Sequence, residues 1–152
     1  MDSPVDPELR MRRVDPDADV ALRKLHERRF RLVLGSNTKK GQNRRQALEQ
    51  AGILQLFAVT LQSDALGVAK PSRLFYDLAV TAAQFLPHEI VWVGNNIRHD
   101  VIGPFMHGMQ SVLVRPAPLS EQEVQALPPG VPVIPHLSSL LPMLPGSRLN
   151  GR

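Results

Sequence analysis

The chain has 152 residues, the length of one ordinary domain, and its hydrophobic fraction of 43% and charged fraction of 21% are those of a globular protein with a buried core. Cysteine is absent, which excludes disulfides, thiolate catalysis and cysteine metal sites. No apolar run approaches the ~18 residues of a membrane helix, and Met1 is followed by acids and prolines rather than by a secretory signal. We therefore expect no membrane partner and a cytoplasmic location.

The positive charge is concentrated in the first third of the chain. Residues 1–50 hold twelve Lys and Arg against eight Asp and Glu, and the other residues hold six of each, so the net charge of +4 arises in the first third. A basic face can attract nucleic acid or a phosphorylated ligand. Phe30, however, is the only aromatic residue before position 57 that could stack on a base. A solvated helix face is the favoured interpretation, and nucleic acid is the least favoured partner.

In the first half of the chain, apolar runs alternate with amphipathic stretches. A flexible lead is predicted over residues 1–16, followed by a helix from Asp17 or Asp19 to about Arg29 with Ala18, Ala21, Leu22 and Leu25 inward. A strand Leu32–Leu34 and the turn Gly35-Ser36-Asn37 come next. The remaining predicted segments are a helix over 42–51 that stops at Gly52, a strand Leu56–Leu61 and a loop that leads to Lys70.

The second half continues the alternation and contains the clearest helix, over residues 72–85, with apolar residues at helical spacing. Its predicted inward residues are Leu74, Phe75, Leu78, Ala79, Ala82 and Phe85, and Pro87 is expected to end it. A strand Ile90–Val93, a helix from about Asp100 to His107 and a strand Ser111–Val114 follow. Ser120 and Glu123 then form a capping box that begins another helix. The last predicted segments are a short strand Val131–Ile134, a closing helix Leu137–Leu144 broken by Pro142, and a tail over 147–152.

This order predicts one domain over residues 17–146, a doubly wound parallel α/β sheet. Ligands bind beyond the carboxyl ends of the strands in such sheets. Three turns with useful chemistry fall at those ends. They contain Ser36-Asn37, Lys70, and the stretch from Asn95 to Asp100. Together they indicate a binding site.

The residues of these turns have both a functional and a structural interpretation. Ser36 could bind a phosphate oxygen or cap the next helix. Lys70 precedes a helix, where its ammonium and the helix dipole would point at the same anion, and Pro71 stiffens its loop. Asp100 could neighbour Mg²⁺ or cap a helix. Asn95 could give a metal only a neutral carbonyl oxygen.

Three segments form an ordered set of motifs: Leu34-Gly35-Ser36-Asn37, then Gly67-Val68-Ala69-Lys70-Pro71 with Phe75-Tyr76, then Val93-Gly94-Asn95-Asn96-Ile97-Arg98-His99-Asp100-Val101-Ile102-Gly103. Over about residues 20–145 the chain resembles the haloacid dehalogenase-type hydrolases, whose second, third and fourth motifs these segments match in order. The resemblance implies a Rossmann-like three-layer α/β/α core and Mg²⁺-dependent phosphoryl transfer, in which an Asp nucleophile forms an aspartyl-phosphate.

The resemblance also implies roles for individual residues. Ser36, with Asn37 beside it, would bind the phosphoryl oxygens. Lys70 would be the catalytic lysine that neutralises charge on the phosphoryl group and the nucleophile. Asn95 stands where the family normally has a Mg²⁺-binding acid, and Asp100 would support the metal shell.

The chain departs from the family pattern at its first motif, an apolar strand that ends in Asp-x-Asp. Asp15-Pro16-Asp17 has the spacing, but Arg12-Arg13-Val14 is not a buried strand, and no cap domain precedes residue 20. Since that strand is the middle of the family's sheet, the strands at 32–34 and 90–93 are expected to have unpaired inner edges. Either they pair directly or another segment fills the gap.

The favoured hypothesis is a truncated or degenerate hydrolase of this family, a Mg²⁺-dependent phosphatase of small phosphate esters that a segment outside the chain completes. The alternative is a non-catalytic module that binds phosphate ligands or a protein partner. Nucleic-acid binding through the basic first third is a distant third hypothesis.

Overall fold

The computed structural model describes residues 13–145, so the tail and most of the predicted flexible lead lie outside the described residues. The helices and strands are α1 (Pro16–Glu27), β1 (Leu32–Ser36), α2 (Arg44–Gln50), β2 (Phe57–Gln62), α3 (Ser63–Leu66), α4 (Arg73–Ala83), β3 (Val91–Gly94), α5 (Gly103–Met106), β4 (Gln110–Val114), α6 (Glu121–Ala126) and β5 (Val133–Ile134). Three 3₁₀ segments (Leu54–Leu56, Pro87–Glu89, Leu137–Met143) and a π-helical segment (Ile97–Ile102) complete the chain.

All strand pairs are parallel, which confirms the predicted α/β fold. β1 pairs with β2, with Leu34 opposite Thr60 and Ser36 opposite Gln62. β4 pairs with β3 on one side and with β5 on the other. These strands form two separate sheets, one of two strands and one of three.

Helix α1 begins at the motif that has the Asp-x-Asp spacing. The side chain of Asp15 accepts a hydrogen bond from the amide of Ala18 at 3.4 Å, and Pro16 occupies the first helical position. Aspartate at the N-cap and proline at the first position are both favourable at a helix start. Asp15 and Asp17 therefore belong to a helix start and not to the end of a buried strand.

Two apolar clusters lie on opposite faces of the strands and give the fold its three layers. On one face, Leu25 of α1 packs with Val112 of β4 and with Leu140 and Leu141 of the last 3₁₀ segment. On the other face, Phe75 and Ala79 of α4 pack against Leu61 of β2. Helices thus cover both faces, as the alternation of elements predicts.

The inner strands β1 and β3 are incompletely covered. Their residues are all half-buried, whereas Ser111–Leu113 in β4 are buried. Between β1 and β3 lies a cavity of about 860 Å³, which Leu32–Gly35 line from one side and Val91–Val93 from the other. The expectation of unpaired inner edges agrees with this gap.

Several local predictions were wrong. α4 spans Arg73–Ala83 instead of the predicted 72–85, because Gln84 adopts a left-handed conformation with φ of 61°. Within α4, Leu74 is 55% exposed and Tyr76 is buried in its place.

Three further segments differ from the sequence-based prediction. The expected helix from Asp100 to His107 is a π-helical segment over Ile97–Ile102 followed by the short α5, and the closing helix is 3₁₀. The predicted loop after β2 contains the single turn α3. Gly67 ends that turn in a left-handed conformation, with φ of 74°, which glycine adopts without steric cost.

Candidate functional site

A buried ion pair lies at the centre of the candidate site. The ammonium nitrogen of Lys70, in the loop before α4, donates to Asp100 Oδ1 at 2.8 Å, and the two side chains are only 9% and 7% exposed. The same nitrogen lies 5.7 Å from the ring centroid of Trp92, which adds a cation–π contact. Burying a charge costs free energy unless the charged group has hydrogen-bonding partners. The stability of the pair therefore depends on the partners of both side chains.

Asn37, the residue after β1, fixes the main chain of Lys70. Its side-chain nitrogen donates to the carbonyl oxygen of Lys70 at 2.9 Å, and its side-chain oxygen accepts from the Lys70 amide at 2.8 Å. The peptide bond between Lys70 and Pro71 is cis. This two-point contact holds Lys70 at the carboxyl end of β1, beside Ser36.

The next residue, Thr38, attaches the same turn to the end of β2. Its amide donates to Ser63 Oγ at 2.8 Å, and its hydroxyl donates to Asp64 Oδ1 at 2.6 Å. The loops after β1 and β2 are therefore joined by side-chain hydrogen bonds beyond the last residues of the ladder.

Three further groups surround the carboxylate of Asp100. Oδ1 accepts from the indole nitrogen of Trp92 at 3.0 Å, and Oδ2 accepts from the amide of Asn96 at 3.1 Å. A Cβ at position 94 would overlap the carboxyl group of Asp100, so only glycine fits at the end of β3. Asn96 in turn accepts from the amide of His99 at 2.9 Å and caps the π-helical segment.

Tyr76 forms a hydrogen bond with the π-helical segment Ile97–Ile102. Its hydroxyl donates to the carbonyl oxygen of His99 at 2.6 Å, and the residue is 1% exposed. Burial, and secondarily the charge of Asp100, raises the pKa of Tyr76, which keeps the phenol protonated as a donor. Burial, and then the charge of Lys70, lowers the pKa of His99 from its ordinary value, which favours the neutral imidazole.

The structure brings Asn37, Lys70 and Asp100 together and places Ser36 directly before Asn37 at the end of β1. The Ser36 hydroxyl is half-buried and has no hydrogen-bond partner within residues 13–145. Asn95 does not join the cluster. It is exposed, and its carbonyl oxygen accepts from Arg115 at 3.2 Å.

The magnesium prediction can be compared with the donor set. Mg²⁺ in proteins usually keeps several waters and takes one or two carboxylates plus substrate phosphate. Asp100 offers one carboxylate, but this carboxylate already forms an ion pair with the Lys70 ammonium. Asn95 offers one neutral oxygen. Over the described range 13–145, no group of three His, Asp or Glu side chains could hold a metal ion. These residues alone do not fit Mg²⁺.

Three arginines of the basic first third, Arg28, Arg31 and Arg45, make hydrogen bonds to other elements. Arg28 donates to the carbonyl oxygen of Leu141 at 2.7 Å, and Arg31 donates twice to that of Ala82, at 3.1 and 3.2 Å. Arg45 donates to the hydroxyl of Thr60 at 2.8 Å. These contacts attach elements to one another and so differ from the expected solvated helix face. That nucleic acid is the least favoured partner stays a prediction.

Fold and site together define an open, parallel α/β protein whose candidate site lies at the carboxyl ends of its strands, where such folds bind ligands. A profile of the haloacid dehalogenase-like hydrolases matches residues 6–104. The chain belongs to this family.

Two curated relatives span much of the chain. A phosphoserine phosphatase of Thermus thermophilus is 30% identical over 99 residues, which cover 65% of this chain and 39% of the relative. The haloacid dehalogenase-like hydrolase domain-containing protein 3 of Bos taurus is 32% identical over 128 residues, which cover 84% of this chain and 50% of the relative. The chain thus spans half or less of these relatives' length.

Solved structures of the same superfamily have the same fold. A HAD phosphatase from Thermococcus onnurineus superimposes with a TM-score of 0.73 at 23% identity, over 89% of this chain and 60% of that one. A dehalogenase, solved as an intermediate complex, gives 0.74 at 24% identity, over 86% and 56%. At these identities the likeness concerns the fold, and it agrees with the predicted Rossmann-like core. No helix in the described part of the chain is long and apolar enough to cross a membrane.

Three residues that build the site have no role in the site predicted from the sequence. Trp92 lies in a predicted strand, Tyr76 in a motif and Asn96 in a turn, yet all three hold or surround Asp100 and its segment. A signal was available for Asn96, because asparagine three residues before His99 is a typical cap spacing. Trp92 and Tyr76 act through contacts across the fold that no local pattern contains.

Proposed function

We propose that this chain is the phosphate-binding part of a hydrolase that acts on small phosphate esters, and that a segment outside these 152 residues supplies the nucleophile. The observation that carries the proposal is the buried Lys70 ammonium, which Asp100 contacts at 2.8 Å while Asn37, the residue after Ser36, fixes the main chain of Lys70. Family membership and a relative named as a phosphoserine phosphatase support the substrate class.

The residues of this chain would bind and orient the phosphoryl group. An ammonium has three N–H donors, and Asp100 takes one of them, which leaves donors for phosphoryl oxygens. Ser36 would donate its hydroxyl to a second oxygen. Asp100 is a positioning residue, since it acts on the substrate only through Lys70. Preorganised donors of this kind stabilise negative charge without rearranging during the reaction.

The nucleophile has to come from elsewhere. Asp15 caps α1, and Asp17 lies in its first turn, where its carboxylate accepts from the amide of Ser138 at 3.1 Å. A carboxylate supplied at the open end of β1 would attack phosphorus, release the alcohol and form an acyl phosphate, which water would then hydrolyse to phosphate. Magnesium dependence is inferred only from the resemblance to the family. It would require carboxylates in addition to that of Asp100.

Phosphate binding is tested by titrating the chain with inorganic phosphate and with phosphoserine and observing ³¹P NMR or calorimetry. We expect saturable binding that Ser36→Ala weakens severalfold and Lys70→Met abolishes. Lys39→Met, which removes an exposed lysine near the same turn, is the matched control and should bind as the parent does. Equal binding by all four proteins would contradict the assignment.

Turnover is tested separately, by supplying a segment that contains an apolar strand and Asp-x-Asp and assaying a panel of phosphate esters with and without Mg²⁺. Restored phosphate release that Lys70→Met abolishes is the expected result. A completed protein that binds phosphate but hydrolyses nothing on the panel would reject the enzyme proposal.

A second candidate is a non-catalytic module, favoured by the engagement of Asp15 and Asp17 in α1 and by the open strand edges. It predicts phosphate or partner binding without turnover, whichever segment is supplied. The cytoplasmic location expected from the sequence stays a prediction under both candidates.

A further inference from the structure

The segment from Asn96 to Asp100, directly after β3, carries two side chains that the proposed phosphate site does not use, those of Arg98 and His99. Arg98 is exposed and His99 is half-buried. Both follow the carboxyl end of a parallel strand, the edge at which folds of this kind bind ligands. Two polar side chains of this segment are therefore accessible beside the ion pair of Lys70 and Asp100.

Hydrogen bonds fix the main chain on both sides of Arg98. The side chain of Asn96 accepts from the His99 amide at 2.9 Å, and the carbonyl oxygen of Asn96 accepts from the Asp100 amide at 2.7 Å. The carbonyl oxygen of His99 accepts from the buried Tyr76 hydroxyl at 2.6 Å. The side chains of Arg98 and His99 thus start from a main chain that is already held, so a ligand has to order only the side chains themselves.

The imidazole of His99 lies close to the charges of the phosphate site. Burial lowers the pKa of His99, and the charge of Lys70 lowers it further. The charges of Asp100 and Arg98 also act on the ring, the first raising and the second lowering its pKa. A lowered pKa favours the neutral ring, which has one N–H donor and one acceptor nitrogen. A ligand held by the Lys70 ammonium would thus have an imidazole and a guanidinium as neighbours.

The guanidinium of Arg98 differs in its charge balance from two other cations of this edge. Lys70 pairs with Asp100 at 2.8 Å, and Arg115, directly after β4, pairs with Glu123 at 2.6 Å. Arg98 forms no ion pair with another residue of the range 13–145. Its charge is therefore available to an anionic group that arrives with the ligand.

The chemistry of the two side chains favours a carboxylate as that group. A guanidinium presents parallel N–H donors that match the two oxygens of a carboxylate, and a neutral imidazole can donate to one of the same oxygens. One guanidinium balances the single charge of a carboxylate. A second phosphoryl group carries about two charges at pH 7, so Arg98 alone would leave one of them unbalanced.

We propose that Arg98 and His99 form a subsite for a carboxylate on the leaving group of the phosphate ester whose phosphoryl group Lys70 holds. The inference rests on the proposed function and narrows its substrate class to the phosphate esters of hydroxy acids. Both side chains contact the substrate without taking part in bond breaking. Their contact orients the ester so that its phosphoryl group faces Lys70, which binding energy from a non-reacting part of a substrate can achieve.

The test compares ligands that differ in this one group. The phosphate esters of glycolate and of 3-hydroxypropionate carry a carboxylate where ethyl phosphate and propyl phosphate carry a methyl group. Titration of the full chain with each ester, followed by ³¹P NMR, gives four dissociation constants. We expect at least one carboxylated ester to bind about tenfold more tightly than its neutral counterpart, the gain from a hydrogen bond between charged groups.

Variants separate the role of Arg98 from the general positive charge of the chain. Arg98→Met should reduce the preference for the carboxylated ester to about twofold or less. Arg98→Lys keeps the charge but loses the parallel donors, so it should retain only part of the preference. His99→Ala should reduce it severalfold, and His99→Gln, which keeps an N–H donor, should restore part of it. Lys24→Met removes one exposed positive charge from α1 and should leave the preference unchanged.

The outcomes distinguish this inference from the proposed function. Equal binding of carboxylated and neutral esters, or a preference that Arg98→Met leaves intact, would overturn the inference while phosphate binding by the chain still stands. Tighter binding of ethylene glycol bisphosphate than of both carboxylated esters would assign the subsite to a second phosphoryl group and also overturn it. A chain that binds none of these esters would contradict the inference and the proposed function together.

Discussion

At the level of single residues, the Lys70–Asp100 pair concentrates the unusual features of the molecule. Both charges are nearly inaccessible, and Asp100 also accepts from Trp92 and from the amide of Asn96. Such a cluster is stable only while every partner remains, because removing one group leaves a buried charge uncompensated. The close approach to Gly94 shows how little room the site leaves for adjustment.

Breaking the pair should therefore cost much more than breaking a surface pair. Asp100→Asn and Lys70→Met should each destabilise the protein by about 3–5 kcal/mol, and the double variant by clearly less than the sum. The control is Asp19→Asn in the exposed Arg23–Asp19 pair, which should cost at most about 1 kcal/mol. Urea unfolding followed by Trp92 fluorescence measures all four. Additive effects of Lys70→Met and Asp100→Asn would mean that the two charges are not coupled.

The site shows what a sequence can and cannot predict at this scale. Ser36, Lys70 and Asp100 lie at turns after strands, and local pattern is enough to find them. The sequence does not tell that Lys70 donates to Asp100 rather than to solvent, because the two are thirty residues apart and meet only through the fold. Asn95 is exposed and lies outside the Lys70–Asp100 cluster, so its assignment as a metal ligand stays a prediction.

At the level of elements, α1 is attached to the end of the chain through Asp17. Its carboxylate accepts from the amide of Ser138 in the last 3₁₀ segment at 3.1 Å, and the hydrogen bonds from Ser138 lower the pKa of Asp17 below 3.8. A lowered pKa in the folded state means that the unfolded state binds more protons at low pH, so this contact stabilises the fold above pH 3.8 and is lost as pH falls further.

Asp17→Asn should accordingly reduce stability at pH 7, and the difference from the parent should shrink as pH falls below 3.8. Glu27→Gln, which changes an exposed acid of the same helix, is the matched control. Thermal unfolding between pH 7 and pH 2.5 gives both differences. A difference for Asp17→Asn that stays constant across this range would show that the charge of Asp17 does not contribute.

Most elements were predictable because their hydrophobic periodicity is strong, and the exceptions share a cause. α3 and the π-helical segment are a single turn and a six-residue stretch, shorter than the windows in which periodicity can be recognised. Tertiary hydrogen bonds, such as those of Thr38 to Ser63 and Asp64, hold α3 in place. These hydrogen bonds join residues that are far apart in the sequence, so a local sequence pattern does not predict them.

The five strands should differ in local stability. β4 is paired on both sides and buried, whereas β1 and β3 have one open edge each and line the cavity. Amides of Val112 and Leu113 should exchange on the order of tenfold or more slowly than those of Leu34 and Trp92. Hydrogen exchange followed by NMR measures this directly. Uniform protection across β1, β3 and β4 would indicate that the inner edges are already covered.

At the level of the whole molecule, the two sheets share both apolar clusters, as two parts of one sheet would. The sequence allowed this prediction, since the strands at 32–34 and 90–93 were expected to flank a missing one. It could not tell whether they would close on each other, because that depends on the packing of the layers above and below. With no ladder between the sheets in the described region, helix contacts and the Lys70–Asp100 pair join them.

One of those contacts can be removed without touching the site or the cavity. Arg28, at the end of α1, donates to the carbonyl oxygen of Leu141 at 2.7 Å and so joins the first half to the last 3₁₀ segment. Arg28→Met should destabilise the protein by about 1.5–3 kcal/mol, the range for a hydrogen bond to a charged group. Lys24→Met, an exposed change in the same helix, should stay within about 0.5 kcal/mol. Because no strand ladder joins the two sheets in the described region, we also expect the Arg28→Met unfolding curves from Trp92 fluorescence and far-ultraviolet circular dichroism to separate, whereas those of the parent coincide. Coincident curves with an unchanged midpoint would show that the halves are held together elsewhere.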